Sequence, residues 1–333
     1  MKISFCGKGG SGKSTIVALL ANEAQARGYH VLVVDSDESN SGLFHMLGFD
    51  HPPLPLMELV GGKKSLKQKM SHTNVLSEAQ IATAQIPDQH LVQRDSLMLV
   101  SIGKILQSLE GCACPMGALA REFLKRLRLQ EDEVALIDME AGIEHFGRGV
   151  EASIDSVLVV TEPSFDSLEL AEKINLLAAE VGVERVWTIL NKVRSREIAS
   201  RLREELEKRG ITVIGSIGYE LEVFQSGLEG RAVRRDRVET DIGRLLDQLL
   251  LGGCLCLASV FIEDDGQREK VMQDVAWIEP ANGGLQLITF LGESKLFQAR
   301  IESIDLMNNL IVLKRMTADS PGRKPGGQKG KPA

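Results

Sequence analysis

Close to its start the chain reads Gly7-Lys8-Gly9-Gly10-Ser11-Gly12-Lys13-Ser14, directly after the short apolar run Ile3-Ser4-Phe5-Cys6. A turn this dense in glycine, set between a strand and a helix, suits very few folds. Without β-carbons in the way, successive backbone N–H groups can crowd around an anion. Lys13 can place its ammonium on the β- and γ-phosphates of a nucleotide, and the Ser14 hydroxyl, with Thr15 beside it, can ligate Mg²⁺. A helix starting at about Lys13 aims its positive dipole end at the same point. Strand, loop and helix arrive in the order of a phosphate-binding loop, so the pattern implies a nucleoside triphosphate with Mg²⁺.

The frame around that loop alternates. Apolar, β-rich runs recur at His30–Asp35, Leu97–Gly103, Val134–Met139, Asp155–Thr161, Val186–Lys192 and Ile211–Ile217, separated by helical periodicity such as Ser167–Val181 and Arg196–Arg209. Continuous apolar strands between helices predict an α/β fold with a mostly parallel sheet covered on both faces. Residues from about 50 to 95, with Pro52, Pro53 and Pro55, read as a helical or loop excursion. After Gly252-Gly253 the helical period disappears. Short alternating runs follow at Ala258–Glu263, Val271–Ile278, Leu285–Leu291, Leu296–Ile304 and Leu310–Leu313, which predicts a small antiparallel all-β domain. The expected organisation is a large domain over 1–251, a small one over 254–316, and a disordered basic tail over 317–333.

Composition removes several function classes. The net charge of −7 gives no support to broad nucleic-acid binding, and 4% aromatic residues leave little for base-stacking platforms. No apolar run approaches the ~20 residues a membrane span needs, and the first residues read as a strand rather than a signal peptide. The expectation is a cytoplasmic protein with no nucleic-acid and no membrane partner. In that compartment the five cysteines stay reduced, favouring metal or redox work over disulfides.

Lys8 narrows the reading. The string Lys8-Gly-Gly-Ser-Gly-Lys13-Ser14 resembles the deviant Walker A motif of the MinD/ParA/nitrogenase-iron-protein ATPases. The resemblance implies a homodimer in which Lys8 crosses to the partner's nucleotide and stabilises charge developing during hydrolysis, as an arginine finger does. A solvated surface charge is the plainer alternative. The strand Val31–Val34 ends in Asp35-Ser36-Asp37, at the carboxyl edge where ligands of parallel sheets bind. By the same resemblance Asp37 orients the attacking water and Asp35 lies near the Mg²⁺ shell; helix-capping loop aspartates are the alternative. Asp138, ending Val134–Ile137, fits an aspartate that reaches Mg²⁺ through water, followed by a glycine-bearing switch, Met139-Glu140-Ala141-Gly142. Asn191 sits where relatives read adenine with an amide.

Cys112-Ala113-Cys114-Pro115 is the second strong pattern. In an extended segment residues two apart face one way, and Pro115 biases Cys114 away from helix, so two thiols would present one soft-metal face. A closed site usually needs four ligands, which a second subunit could complete. Inert cysteines and a redox pair are the alternatives. Together with Gly7–Ser14 and the string Asp138-Met-Glu-Ala-Gly-Ile-Glu-His145, this pair resembles the CooC family, ATPases that assist nickel incorporation into carbon monoxide dehydrogenase. That implies an ATP-driven dimer with an intersubunit Ni²⁺ (or Zn²⁺) site at Cys112 and Cys114, and apo carbon monoxide dehydrogenase as client. Cys256-Leu-Ala-Ser-Val-Phe-Ile, Val271-Met-Gln-Asp-Val and Ala299–Met307 resemble CooT, a small nickel-binding protein linked to the same enzyme. Cys256 corresponds to its metal cysteine, and Cys254 would replace the α-amine that a fused domain lacks; two buried strand residues are the alternative. Cys6 reads as core and His145 as a structural imidazole. The leading function is an ATP-hydrolysing nickel-delivery factor. An iron–sulfur cluster assembly scaffold ATPase and a MinD/ParA-type positioning ATPase are the alternatives.

Overall fold

The structure, a computed structural model, describes residues 1–40, 42–61, 79–104, 114–234, 238–250, 258–264, 267–281, 283–289, 293–305 and 310–315. It divides into two compact units, Met1–Cys254 and Leu255–Ala333.

The first unit is built on an eight-stranded sheet. Its strands are β1 (Lys2–Gly7), β2 (His30–Ser36), β4 (Val92–Arg94), β5 (Leu97–Ser101), β7 (Glu133–Met139), β8 (Ser156–Thr161), β9 (Arg185–Val193) and β10 (Val213–Gly218), in the order β10-β9-β8-β1-β7-β2-β5-β4. Every neighbouring pair is parallel except β4 with β5. A separate parallel pair joins β3 (Ile81–Ala82) to β6 (Leu127–Arg128). All of β5 and β8 is buried, as is β1 beyond Lys2. Because successive side chains point to opposite faces, unbroken burial means that both faces are covered.

The cover comes from helices α1 (Lys13–Ala26), α2 (Leu43–Met46), α3 (Cys114–Arg126), α4 (Glu144–Gly147), α5 (Phe165–Glu180), α6 (Arg196–Lys208), α7 (Leu221–Leu228) and α8 (Glu239–Leu250). Helix α1 packs on β2, β7 and α8, and α5 on β8 and β1. The large buried side chains Phe5, Phe123, Ile3, Ile16, Leu19 and Leu20 fill the space between. Burying each such residue contributes about 1.5–3 kcal/mol.

Two local expectations differ from the fold. The 50–95 region carries short 3₁₀ turns at Leu56–Val60, Thr83–Gln85 and Asp88–His90, and the edge strand β4 falls within it. Cys114, expected to be extended, is the first residue of α3. Pro115 is accommodated because the first turn of a helix has no intrahelical acceptor for its N–H groups, so the missing donor costs nothing.

The second unit is a six-stranded sheet of β11 (Ala258–Asp264), β12 (Gln267–Ala281), β13 (Gly284–Thr289), β14 (Ser294–Phe297), β15 (Ala299–Asp305) and β16 (Leu310–Arg315), in the order β14-β13-β12-β11-β16-β15. Pairing is antiparallel except for β11 with β16. The run Leu296–Ile304, expected as one strand, divides at Gln298 into β14 and β15. The core is Val260, Ile262, Met272, Val275, Leu287, Ala299 and Leu313. The expected tail 317–333, and Cys112, Cys254 and Cys256, lie outside the described residues.

Candidate functional site

Parallel strands bring their carboxyl ends to one edge, and there the sequence places its chemistry. Register sets Asp35 of β2 directly beside Asp138 of β7, and Asp138 beside Phe5 of β1, so the loop after β1 opens over both carboxylates. That loop turns on Gly7, Gly10 and Gly12, with φ of 146°, 80° and 96°. A β-carbon on Gly7 would stand 2.5 Å from the Val160 carbonyl, and one on Gly12 would strike the Asn191 amide. Only glycine serves at either position. Gly9, Gly10, Gly12, Lys13, Ser14 and Thr15 line one side of a cavity of about 510 Å³. Ser11 is fully buried with an unpartnered hydroxyl, and Lys13 is buried at the start of α1.

The second switch touches the loop directly: Gly142, at φ 97°, donates its N–H to the Gly7 carbonyl at 3.3 Å. Asp138 is fully buried, and neither carboxylate oxygen accepts a well-formed hydrogen bond, although the Ser14 hydroxyl lies near enough to oppose the resulting shift. Burial, and then the negative Asp35 alongside, push its carboxyl up to about 7. Asp35 is raised to about 6, again chiefly by burial, with Lys104 pulling the other way. Lys104 Nζ stands 2.6 Å from Asp35 Oδ2, which leaves Asp35 Oδ1 without a partner. Buried carboxylate oxygens without donors, below a phosphate-binding loop, suit a hard divalent cation that retains water and takes phosphate ligands. Ser14 would hold it directly and Asp138 through water. Among the described residues no cluster of three or more His, Cys, Asp or Glu could hold a metal by itself.

Asp37 is buried at the cavity wall. Its Oδ1 accepts from the Ser39 N–H at 2.9 Å, the Ser39 hydroxyl at 2.7 Å and the Asn40 N–H at 3.2 Å, fixing the turn after β2. Asn40, absent from the sequence reading, donates to Ser14 Oγ at 2.8 Å. Asn191 donates to the Ser11 carbonyl at 2.8 Å and lines the same cavity. Lys192, to which the sequence gives no role, stands at a left-handed φ of 57°, and its ammonium donates to the Gly10 carbonyl. The cavity's apolar wall comes from Tyr219 and, on α7, Val223, Phe224 and Leu228. Phe224 and Leu228 are 55% and 76% exposed, so this wall offers apolar surface to whatever occupies the cavity. Lys8 has partners within its own chain, Asp166 Oδ2 at 3.4 Å and Glu162 Oε1 at 3.9 Å. Cys6 is buried in the core, and the buried His145 imidazole contacts the Gly142 carbonyl at 3.2 Å.

A family model described as the CobQ/CobB/MinD/ParA nucleotide binding domain matches residues 3–233. The chain belongs to that family. It is a nucleotide-binding protein of the P-loop ATPase type, and the first unit is CooC-like. It is 43% identical over 244 residues to an uncharacterized ATP-binding protein, MJ0084, of Methanocaldococcus jannaschii, a match covering 72% of this chain and 96% of the relative. It is 35% identical over 199 residues to the carbon monoxide dehydrogenase accessory protein CooC of Rhodospirillum rubrum, covering 59% of this chain and 75% of that protein. A second family model, CO dehydrogenase accessory protein CooT, matches residues 255–314, so a CooT-like domain follows the ATPase domain. Among solved structures, the MinD cell division protein of Aquifex aeolicus superposes with a TM-score of 0.56 at 17% identity, covering 76% of this chain and 98% of that one. MinD of Pyrococcus horikoshii with Mg-ADP gives 0.56 at 17%, covering 74% and 95%. These two likenesses establish the shared fold.

Proposed function

We propose that this protein is an ATP-hydrolysing accessory factor that delivers nickel to apo carbon monoxide dehydrogenase. One observation carries the reading: a CooC-like ATPase domain and a CooT-like domain, each similar to an accessory protein of the same enzyme, are joined in one chain. ATP with Mg²⁺ would occupy the cavity beside Gly9–Thr15. Lys13 binds its phosphates, Ser14 and Asp138 hold the cation, and Asp37 positions the water. Asn191 and the wall of α7 accommodate the adenine. Lys8 leaves Asp166 and Glu162 and reaches the nucleotide of a second copy, so hydrolysis requires a homodimer. The exchange is cheap, since exposed ion pairs of this kind contribute about 0–1 kcal/mol.

Cys112 and Cys114 from two copies supply four thiolates for nickel, and Cys254 and Cys256 hold a second ion ahead of transfer. The setting is the cytoplasm, where these thiols stay reduced. The test is reconstitution: apo carbon monoxide dehydrogenase, Ni²⁺ at limiting concentration, and this protein with ATP. Activation that needs both ATP hydrolysis and the cysteines is the expected result. Activation at the same rate without ATP would reject the reading, and brown protein with acid-labile sulfide after anaerobic purification would favour iron–sulfur scaffolding.

A further inference from the structure

The turn after β2 is braced from within and anchored from outside. Within it, Asp37 Oδ1 accepts from the Ser39 and Asn40 N–H groups and from the Ser39 hydroxyl, so residues 37–40 move as a block. Lys104, just beyond β5, sets where that block sits. Its ammonium stands 2.6 Å from Asp35 Oδ2, donates to the Asp37 carbonyl at 2.5 Å, and donates to the Asn40 carbonyl as well. One cation thus joins three oxygens spread along the whole turn. The Lys104 side chain is only 13% exposed, and Asp35 is buried. Two residues before Lys104, the Ile102 N–H donates to the Asp35 carbonyl at 2.9 Å, so backbone and ammonium hold the same segment.

The same block meets the nucleotide site. Asp37 and Asn40 line the cavity, and the Asn40 amide donates to Ser14 Oγ at 2.8 Å. Lys104 is not among the lining residues, so it does not serve the phosphates directly. Next to Asp37, the buried Glu38 places Oε1 3.9 Å from Arg148, whose guanidinium donates to Glu140 Oε2 of the second switch at 2.9 Å. The turn therefore has one link to the phosphate loop, one to the second switch, and Lys104 as its link to the sheet. A largely buried ammonium without oxygen partners is strongly disfavoured, and so is a buried carboxylate without a cation. Each fixes the other.

We propose that Lys104 is a positioning residue for ATP hydrolysis: it pins the Asp37–Asn40 turn to the sheet edge and so holds the Asp37 carboxylate where it orients the attacking water. This role rests on the reading above, in which Asp37 positions that water, and adds the residue that keeps Asp37 in place. Nucleotide affinity is carried by the phosphate loop instead. Loss of Lys104 therefore acts on the chemical step, where a misplacement of about 1 Å can cost about 100-fold in rate, and spares binding. Asn40 carries the second anchor, because its amide ties the same turn to the Ser14 hydroxyl.

The test compares the full chain with Lys104→Met, which keeps a long side chain but removes charge and donors. Three quantities are measured: kcat at saturating Mg²⁺ and ATP, equilibrium affinity for a fluorescent non-hydrolysable ATP analogue, and hydrogen–deuterium exchange of peptides holding the Ser39 and Asn40 amides in the ligand-free protein. Lys104→Met should lower kcat by about 10- to 100-fold while analogue affinity stays within about twofold. Exchange at Ser39 and Asn40 should quicken by about tenfold or more, since hydrogen bonds to a charged donor are lost. Asn40→Ala leaves the Lys104 grip, whose acceptor there is the backbone carbonyl, and cuts only the tie to Ser14. It should lower kcat by about tenfold with analogue affinity held, and it decides the matter if Lys104→Met does not fold. Unchanged kcat in a folded Lys104→Met protein, or in Asn40→Ala, would overturn the role. A parallel loss of kcat and analogue affinity would make Lys104 a general packing residue and overturn it too. So would an altered Mg²⁺ requirement with kcat and exchange as in the parent, which would leave Lys104 a charge partner of Asp35 alone. A parent protein that binds the analogue yet hydrolyses no ATP would reject the ATPase reading itself, and this role with it.

Discussion

Replacing Asp138 by asparagine should stabilise the ligand-free protein and weaken its response to Mg²⁺. The carboxyl stands at about 7 in the fold against an ordinary 3.8, because it is fully buried beside the negative Asp35. Between those two values the native state holds a proton that the unfolded chain has released, so stability falls as pH rises through that window. Below about pH 3 the carboxyl is neutral in both states and contributes nothing. Above about pH 7 the whole difference is felt: about three pH units at 1.36 kcal/mol each, or about 4 kcal/mol. Asparagine cannot ionise. At pH 8 the Asp138→Asn protein, free of nucleotide and metal, should therefore be about 2–4 kcal/mol more stable in urea unfolding, with the gap closing to about 1 kcal/mol or less near pH 4.5. Mg²⁺ with ATP should stabilise wild type at pH 8 far more than the variant, because the cation needs the ionised carboxylate. A variant no more stable than wild type at pH 8, or a gap that does not vary with pH, would refute the reasoning.

The other predictions concern separate elements. Lys8→Ala should leave unfolding within about 1 kcal/mol, since it removes only exposed ion pairs, yet lower ATP turnover by about 10³-fold or more while nucleotide binding persists; unchanged turnover would remove Lys8 from catalysis. Gly12→Ala should eliminate nucleotide binding in equilibrium dialysis, because its methyl would strike the Asn191 amide at a φ of 96°. Leu287→Ala in the fully buried core of the second unit should cost about 2–5 kcal/mol and lower only that unit's calorimetric transition, leaving ATP affinity as it was.

Much of the fold could be read because buried parallel strands carry unbroken apolar runs. Val134–Ile137 and Val157–Val160 announce themselves, and each ends where the loops must gather. The phosphate loop was legible for a different reason, since its glycines answer backbone needs that are local in sequence. Edge strand β4 was hidden: Val92–Arg94 has three residues, none of them buried, so neither apolar content nor alternation marks it. Cys114 misled because the rule for a residue before proline competes with the freedom of a helix's first turn. Lys104, Asn40 and Arg148 were invisible for a physical reason. Their roles come from meeting Asp35, Ser14 and Glu140 across long stretches of chain, and no spacing encodes such encounters.

The central claim is a nucleotide-dependent dimer that shares one metal between the two Cys112/Cys114 pairs. Native mass spectrometry under anaerobic conditions, with Ni²⁺ and a non-hydrolysable ATP analogue on the Cys254→Ser/Cys256→Ser background, tests it most directly. The account predicts a species of two chains, two nucleotides and one nickel, with the nickel lost in Cys112→Ser/Cys114→Ser. Monomers alone under every condition, or a quadruple variant that still holds one nickel per two chains, would contradict it.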